Sequence, residues 1–466
     1  MIYIYLLSLS GLLVGLNTSL VLPLGFYDSH RIWQVITVIL ATSYLCFLKF
    51  KRINALSSQF FCLFGLLLAL VGFSNANSSY RELGFLESLN SIFLLLALVS
   101  FSQIWQVRAT QKKFEEWIVL LIAFGLLVYF FQMLVAFGAG VYAGTSVNRT
   151  LIVHHISNVR FFNHIQVLTL PLLIIFSLRS EFLLSRRLCF CVAVLSVSVL
   201  FFLSARAAIA SLFVSAFVML SLIKDRTLVF RYLSTTLAGG LFFLIVFKGI
   251  PAFIYGLPEV PLVVNLNSAG RWALWSEGLI LLKEHWLLGV GGMQYGYWSQ
   301  LGFGHPHNIG LQIALEYGVP ALFIVLFFVG RFLMRLTRML RKNEFSSFQI
   351  GCCWAFVATL GVAMFSGVWV APLTQLLLVM IVAPLIGPYI SSYKASQPAN
   401  KAIKLKLPGW SLKFVLLAMI ISFVVLLFNE IERHYESIDY SKIEKPLYAP
   451  RFWQESSWPK LKANDS

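Results

Sequence analysis

The chain has 466 residues, of which 59% are hydrophobic and only 12% are charged, and its mean hydropathy is +0.82. A soluble domain has about 45–50% apolar and about 25% charged residues, so this composition excludes a soluble enzyme, a disordered scaffold and a disulfide-rich secreted domain. It indicates an integral membrane protein. The net charge of +17 is compatible with binding to nucleic acid, anionic lipid or an anionic substrate, or with orientation in a membrane.

Apolar segments long enough to cross a membrane recur along the whole chain. Because a membrane helix needs about 20 apolar residues, they predict an all-α polytopic protein. We expect the first segment to be retained, since it lacks a basic leader and a small-residue cleavage site. About thirteen spans are predicted, at 2–21, 32–49, 58–74, 88–106, 115–137, 165–180, 188–204, 207–223, 232–250, 317–333, 348–366, 370–388 and 411–428.

The basic residues indicate how these spans are oriented. Lys and Arg in short loops stay on the cytoplasmic side, and 22 of the 36 fall in six clusters in alternate connections. Six more lie in the tail after residue 428, and eight remain on the opposite side. This alternation predicts a cytoplasmic N-terminus and an outer C-terminal tail. Most of the positive charge therefore reflects orientation, and we expect no nucleic-acid partner.

Cysteine and histidine are distributed in agreement with this topology. All six cysteines fall at or near predicted cytoplasmic helix ends, and all eight histidines fall on the outer side. No disulfide is expected. Since histidine titrates near neutral pH, the skew favours chemistry on the outer face. The alternative is that the outer loops are longer and hold more polar residues of every kind.

Two outer loops and an outer tail stand out from the predicted membrane domain, which covers 1–428. The loops are 138–164 and 251–316, and the tail 429–466 is predicted to be a partly ordered appendage. Loops as long as 251–316 are usually functional. Within it, Ser268 is expected to cap a helix that runs to about Trp286 and lies at the membrane interface.

Four glycines follow this predicted interfacial helix, at Gly289, Gly291, Gly292 and Gly296. They do not form a nucleotide-binding loop, because no strand precedes them and no GK[ST] follows. We expect them to form a flexible connection to the next segment.

The most informative segment is Gly304-His305-Pro306-His307-Asn308, just before the span at 317. A histidine at the membrane entry is suited to act as a base on a hydroxyl. The alternative is that Pro306 and Asn308 simply begin a helix, since Asn is a good cap and Pro is favoured in the first turn. A zinc site is a third possibility, but His305 and His307 lack carboxylates or cysteines at a ligand spacing.

Three outer arginines are candidates for binding phosphate oxygens, which guanidinium groups hold bidentately. Arg206 lies almost inside the apolar phase, where a permanent charge is costly and usually functional. Arg160 precedes the span at 165, and Arg271 begins the interfacial helix. Together they would hold a pyrophosphate at the membrane surface. The alternative, strongest for Arg149, is that they snorkel toward anionic headgroups.

These motifs resemble the O-antigen ligase superfamily over residues 150–335. His307-Asn308, nine residues and then Gly318-Val319-Pro320-Ala321 resemble its H-[N/S/Q]-x9-G-x-x-[G/T/Y] signature, from which Ala321 departs. Arg271 with Trp275 is similar to its R-x3-W element. Ser204-Ala205-Arg206 resembles its intramembrane arginine motif, and 158–171 its upstream outer-loop element.

The resemblance implies a metal-independent, inverting glycosyltransferase without a cofactor, in the bacterial inner membrane. Its donor would be a glycan on undecaprenyl pyrophosphate, used at the periplasmic face. It implies catalytic roles for His307, Arg206 and Arg271, and the substrate-binding residues would be Arg160, His305, Asn308 and Trp275. Glu277 and Glu316 are further candidates for orienting groups.

The superfamily contains O-antigen ligases, O-antigen polymerases and protein O-oligosaccharyltransferases, including pilin-specific ones. An additional span and an outward C-terminal segment resemble the protein-glycosylating members, and the short tail favours their pilin-type branch. The predicted acceptor is therefore a Ser or Thr hydroxyl of a pilin-like protein. The alternatives are ligation of O-antigen to lipid A-core, polymerisation, and, from another class, a transporter of lipid-linked glycan, although few charges occur in mid-span.

Overall fold

A computed structural model describes residues 1–18, 26–47, 58–106, 111–144, 147, 149–256, 270–301, 303–396 and 409–436. Within these ranges the chain is helical and contains no strand. The helices in chain order are α1 Ile2–Asn17, α2 Phe26–Phe47, α3 Ser58–Ala76, α4 Arg81–Ser102, α5 Gln111–Tyr142, α6 Arg149–Ile152, α7 Val159–Arg179, α8 Leu183–Phe202, α9 Arg206–Ile223, α10 Arg226–Phe242, α11 Ile250–Tyr255, α12 Arg271–His285, α13 Tyr295–Trp298, α14 Ile309–Arg341, α15 Ser347–Ala363, α16 Pro372–Ser396 and α17 Gly409–Glu436.

Every predicted span coincides with one of these helices. Within the described residues, eight helical segments are long and apolar enough to cross a membrane, and four shorter apolar helices accompany them. The protein is therefore an all-α polytopic membrane protein, as predicted, while the count of thirteen crossings stays a prediction. The expected cap Ser268 and most of the tail, from 437 onward, lie outside the described residues.

The structure divides into two compact units. The first comprises 1–37, 97–266 and 330–395. Its central helix is α7, and 94% of the residues in the most apolar part of this helix are buried. Close packing against α15 depends on Gly351, because a Cβ there would lie 2.7 Å from Leu172 Cδ2. The second unit comprises 38–96, 267–329 and 396–466.

In the second unit, α12 packs beside the first part of α14, and both run in the same direction. Near their beginning, the indole N–H of Trp275 donates to the carbonyl of Pro306 (3.0 Å). In the middle, Gly278 lies against Leu311 and Leu315. The bare Gly278 backbone lets the two helices approach closely, and this pairing positions the segment that precedes α14.

Helix α14 is broken at Gly318, whose φ of 88° and ψ of 161° are not helical. Pro320 explains the break, because it has no N–H to donate to the carbonyl of Glu316 four residues earlier. That carbonyl instead accepts from Ser74 Oγ (2.6 Å) and from Gly291 N–H (2.9 Å). After the break, the N–H of Val319 donates to the carbonyl of Trp286 (2.8 Å). The end of α12 thus completes the hydrogen bonding of the broken helix.

The glycine segment after α12 is not the loose connection that was predicted. A Cβ at Gly289 would lie 2.5 Å from the carbonyl carbon of Glu316, and one at Gly291 would lie 2.4 Å from Ser78 Cβ. Both glycines also have positive φ, at 71° and 99°. The expectation of flexibility was wrong, because close backbone packing and a left-handed conformation both require glycine at these positions.

Substituting Gly318→Ala should destabilise the protein by about 1–3 kcal/mol, since a side chain at this φ is strained and its Cβ would meet Leu287 O. The matched control is Gly330→Ala in the same helix, where a Cβ would meet nothing within 4 Å. The control should leave the Tm in detergent unchanged or slightly raised. Equal Tm values for the two variants would show that the break at Gly318 is unimportant.

Candidate functional site

The predicted histidine segment forms a tight turn before α14, which we call the histidine turn, residues 304–308. His307 has a φ of 54°, a left-handed conformation that is costly for a non-glycine residue and is common at functional sites. Its side chain is half-buried, whereas His305 is only 3% exposed. The structure therefore presents one histidine of the pair and buries the other.

His305 helps to hold this strained turn. Its Nδ1 accepts a hydrogen bond from the backbone N–H of His307 (3.2 Å), and the two rings lie edge to face with centroids 4.2 Å apart. Because Nδ1 accepts, a neutral His305 has its proton on Nε2. The Phe303 ring also packs edge to face against His307, with centroids 5.8 Å apart. These contacts fix the direction of the His307 imidazole.

Asn308 and Trp275 also have structural roles in the turn. The side-chain oxygen of Asn308 accepts from the N–H of Leu311 (3.0 Å), which caps α14 as the helix-start alternative predicted. Trp275 donates to Pro306. Arg271 begins α12 one turn before Trp275, on the same helix face. The second unit therefore brings Arg271, Trp275 and the histidine turn together.

Glu277 and Glu316, the additional candidates, are engaged in the same unit. The Glu277 carboxylate accepts from Ser299 Oγ (2.8 Å) and from the N–H of Gln300 (2.6 Å), so it ties the segment after α13 to α12. Glu316 is 1% exposed and lies next to the break in α14. These positions account for both residues structurally.

The first unit brings Arg160 and Arg206 to one turn between α8 and α9. Ser204 has a φ of 51°, and its carbonyl accepts from the N–H of Arg206 (2.9 Å) and from Arg160 Nη1 (3.5 Å). Asn158 caps α7 by accepting from the N–H of Arg160 (2.8 Å). Both arginines are exposed. Among the described residues none accepts a hydrogen bond from the Arg206 guanidinium, so its donors are available to an anion.

Two other histidines of the first unit, which were predicted to face outward, are engaged in packing. His155 packs edge to face on Phe26, with centroids 5.3 Å apart, and its backbone φ is 59°. Burial, followed by the neighbouring His154, lowers the pKa of His155, so this imidazole is neutral at neutral pH. His164 is 2% exposed, and its Nε2 lies 2.7 Å from Ser366 Oγ. Some of the histidines that were predicted to face outward therefore have a structural role.

A buried arginine was missed by the sequence reasoning. Arg31 is only 2% exposed, and its Nη1 donates to the side-chain oxygens of Gln34 (2.5 Å) and Gln375 (2.6 Å). Its Nη2 donates to the carbonyl of Val370 (2.9 Å), which also accepts from Tyr27 OH (2.8 Å). Arg31 therefore anchors the loop before α16 to α2. Polar residues at 27, 31 and 34, on one helix face, were the available signal.

Part of the chain is similar to a known protein family. A family model described as O-antigen ligase matches residues 191–326. The resemblance to the O-antigen ligase superfamily is confirmed over this segment. The matched segment contains Arg206, Arg271, Trp275 and the histidine turn, while Arg160 precedes it. It supports lipid-linked glycan transfer as the function. A comparison with curated proteins found no match.

Replacing Arg31 with Met should lower the stability of the protein by about 1–3 kcal/mol, because the buried side-chain oxygen of Gln34 would lose its donor, and the oxygens of Gln375 and Val370 would each lose one of two donors. Arg187→Met is the matched control, since Arg187 is exposed on α8. The measurement is thermal unfolding of the purified proteins in detergent. If both variants unfold at the wild-type temperature, the Arg31 contacts contribute nothing to stability.

Proposed function

We propose that the protein transfers an oligosaccharide or O-antigen unit from undecaprenyl pyrophosphate to a Ser or Thr hydroxyl of a pilin-like protein. The reaction takes place at the periplasmic face of the bacterial inner membrane. The observation that carries the proposal is His307, held in a strained turn inside the matched O-antigen ligase segment. The all-α membrane fold supports this location, because the acceptor can meet a lipid-linked donor only at a membrane surface.

In the proposed reaction the acceptor oxygen attacks the anomeric carbon of the first sugar, and its proton passes to His307. The bond between that carbon and the pyrophosphate oxygen breaks, and undecaprenyl pyrophosphate leaves with the electron pair. Attack opposite to the leaving group inverts the anomeric configuration. The half-buried imidazole and its fixed direction support this role, because a general base must be aimed at the hydroxyl it serves.

Arg206, Arg271 and Arg160 are proposed to neutralise the charge that develops on the leaving pyrophosphate. Such stabilisation by fixed donors is usually a large contribution to catalysis and takes the place of a metal ion here. The free donors of Arg206 support this role, as does the inclusion of Arg206 and Arg271 in the matched segment. Trp275, His305 and Asn308 are proposed to contact the substrate beside His307.

The pilin-type acceptor is supported by the sequence, through the additional C-terminal span. Helix α17 corresponds to that span. Ligation of O-antigen to lipid A-core is the second candidate, and it is favoured by the description of the matched family. The two functions share the donor and the proposed chemistry, so only the acceptor separates them.

A competition experiment tests the function. Purified protein is given donor lipid together with pilin and lipid A-core, and mass spectrometry shows which acceptor gains the glycan. We expect the pilin to gain mass, and we expect His307→Ala to lower the rate by about 10²–10⁴-fold, the usual contribution of a general base. His154→Ala, an outer histidine of the first unit, is the control and should transfer normally. A gain on lipid A-core alone would identify a ligase instead.

Arg206→Lys keeps the positive charge but removes the planar fork of donors. We expect kcat to fall by about 10²-fold, as when one fixed donor is removed from a developing anion, with no change in Tm because the side chain is exposed. Arg226→Lys, at the start of α10, is the control and should keep the wild-type rate. Normal turnover by Arg206→Lys would refute bidentate pyrophosphate binding at this residue.

A further inference from the structure

A cavity of about 320 Å³ lies in the second unit, away from the histidine turn. Its walls are the 77–79 connection between α3 and α4, the end of α12 with the residues that follow it, at 284–290, and Trp298 of α13. The proposed reaction uses none of these residues. The predicted topology places all three segments on the outer side of the membrane.

The lining combines aromatic faces with polar groups. Trp286 and Trp298 are 55% and 39% exposed, and the His285 ring lies 5.4 Å from that of Trp298. Asn77 and Glu284 are exposed in the same lining. An apolar wall with a few polar groups that fix orientation is typical of small-molecule sites. A sugar ring matches this lining, since its C–H face packs on an aromatic ring and its hydroxyls need both donors and acceptors.

The cavity is built on a rigid base. The N–H of Gly292 donates to Asn75 Oδ1 (2.9 Å), and Gln294 Nε2 donates to the carbonyl of Tyr80 (3.0 Å). Ser78, which is 7% exposed, packs against Gly291. These contacts tie the end of α3 and the 77–80 connection to the segment after α12. The site is therefore formed in advance, which reduces the entropy cost of binding.

Size and charge limit what the cavity can hold. A volume of about 320 Å³ is at the small end of the range for ligand sites, so it accommodates one or two sugar rings. Among the lining residues in the described part of the chain there is no Lys or Arg, while Glu284 contributes a negative charge. This lining disfavours a lipid phosphate or a pyrophosphate. It favours a neutral sugar.

The cavity is too far from His307 to hold the reacting sugar. His307 lies just before α14, whereas Trp286 is bonded to Val319 beyond the break. About nine helical residues separate the start of α14 from the break, which corresponds to roughly 14 Å. A sugar in the cavity is therefore a distal unit of a longer glycan.

We propose that this cavity is a distal carbohydrate subsite, which binds one neutral sugar of the donor glycan by stacking on Trp298 and Trp286. It deepens the proposed function and rests on it for the identity of the glycan. Binding of a distal unit would select donors that carry several sugars over donors that carry one.

The first test is binding of the free oligosaccharide, released from the donor lipid, to the detergent-solubilised protein, followed by tryptophan fluorescence. We expect saturable binding that weakens about tenfold or more in Trp298→Ala, through the loss of one stacking contact. Trp272→Ala is the control, because Trp272 is 73% exposed on α12 and outside the cavity lining. Unchanged binding in Trp298→Ala, or displacement of the glycan by glycerol phosphate, would overturn the proposal.

The second test is kinetic and uses Glu284→Gln as well as Trp298→Ala. Because the Glu284 side chain is exposed, the Glu284→Gln substitution does not disturb the packing of the protein. With a long glycan on the donor, we expect KM to rise about tenfold with kcat unchanged, as when uniform binding is lost. With a single sugar on the donor, neither constant should change. Equal effects on both donors would overturn the subsite. If glycan binds but no transfer occurs to any acceptor, the subsite stands and the proposed function fails.

Discussion

The second unit depends on the hydrogen bonding of a broken helix. Pro320 interrupts the ladder of α14, and in apolar surroundings each released backbone group costs several kcal/mol unless it finds a partner. Ser74 and Gly291 bond the Glu316 carbonyl, and Trp286 accepts from the chain after the break. Because these bonds fix the end of α12, the beginning of that helix is also fixed, and Trp275 can hold the histidine turn.

Burial separates the arginines that hold the fold from those that are available to a substrate. Arg31 is enclosed, and its donors are used by side-chain and backbone oxygens of the first unit. Arg206 has the same side chain at the start of a helix but is exposed. A guanidinium with its donors engaged cannot bind an anion, whereas one exposed on the surface of a turn can. The same residue type therefore stabilises the structure at one position and offers a binding group at another.

Much of the fold was predictable because a membrane imposes length and polarity on each helix. Each predicted span coincides with a helix, including the close pair separated around Ser204 to Arg206. The spacing between His307 and Gly318 was visible in the sequence, but its physical meaning was not. It sets the length of helix between a strained turn and a break. The glycine segment was misjudged, since the sequence does not show which backbones approach each other.

The sequence by itself determined the class of protein, its helical segments and the O-antigen ligase motifs. These properties follow from local composition and from spacing along the chain, which are independent of distant contacts. Only the tertiary structure decided that His305 supports His307, that Arg31 is enclosed, and that the aromatic cavity exists. The enclosure of Arg31 and the aromatic cavity depend on segments far apart in the chain, such as Arg31 with Gln375 and 77–79 with 284–290. Such pairings form when helices pack to bury polar groups with their partners, and no local pattern specifies them.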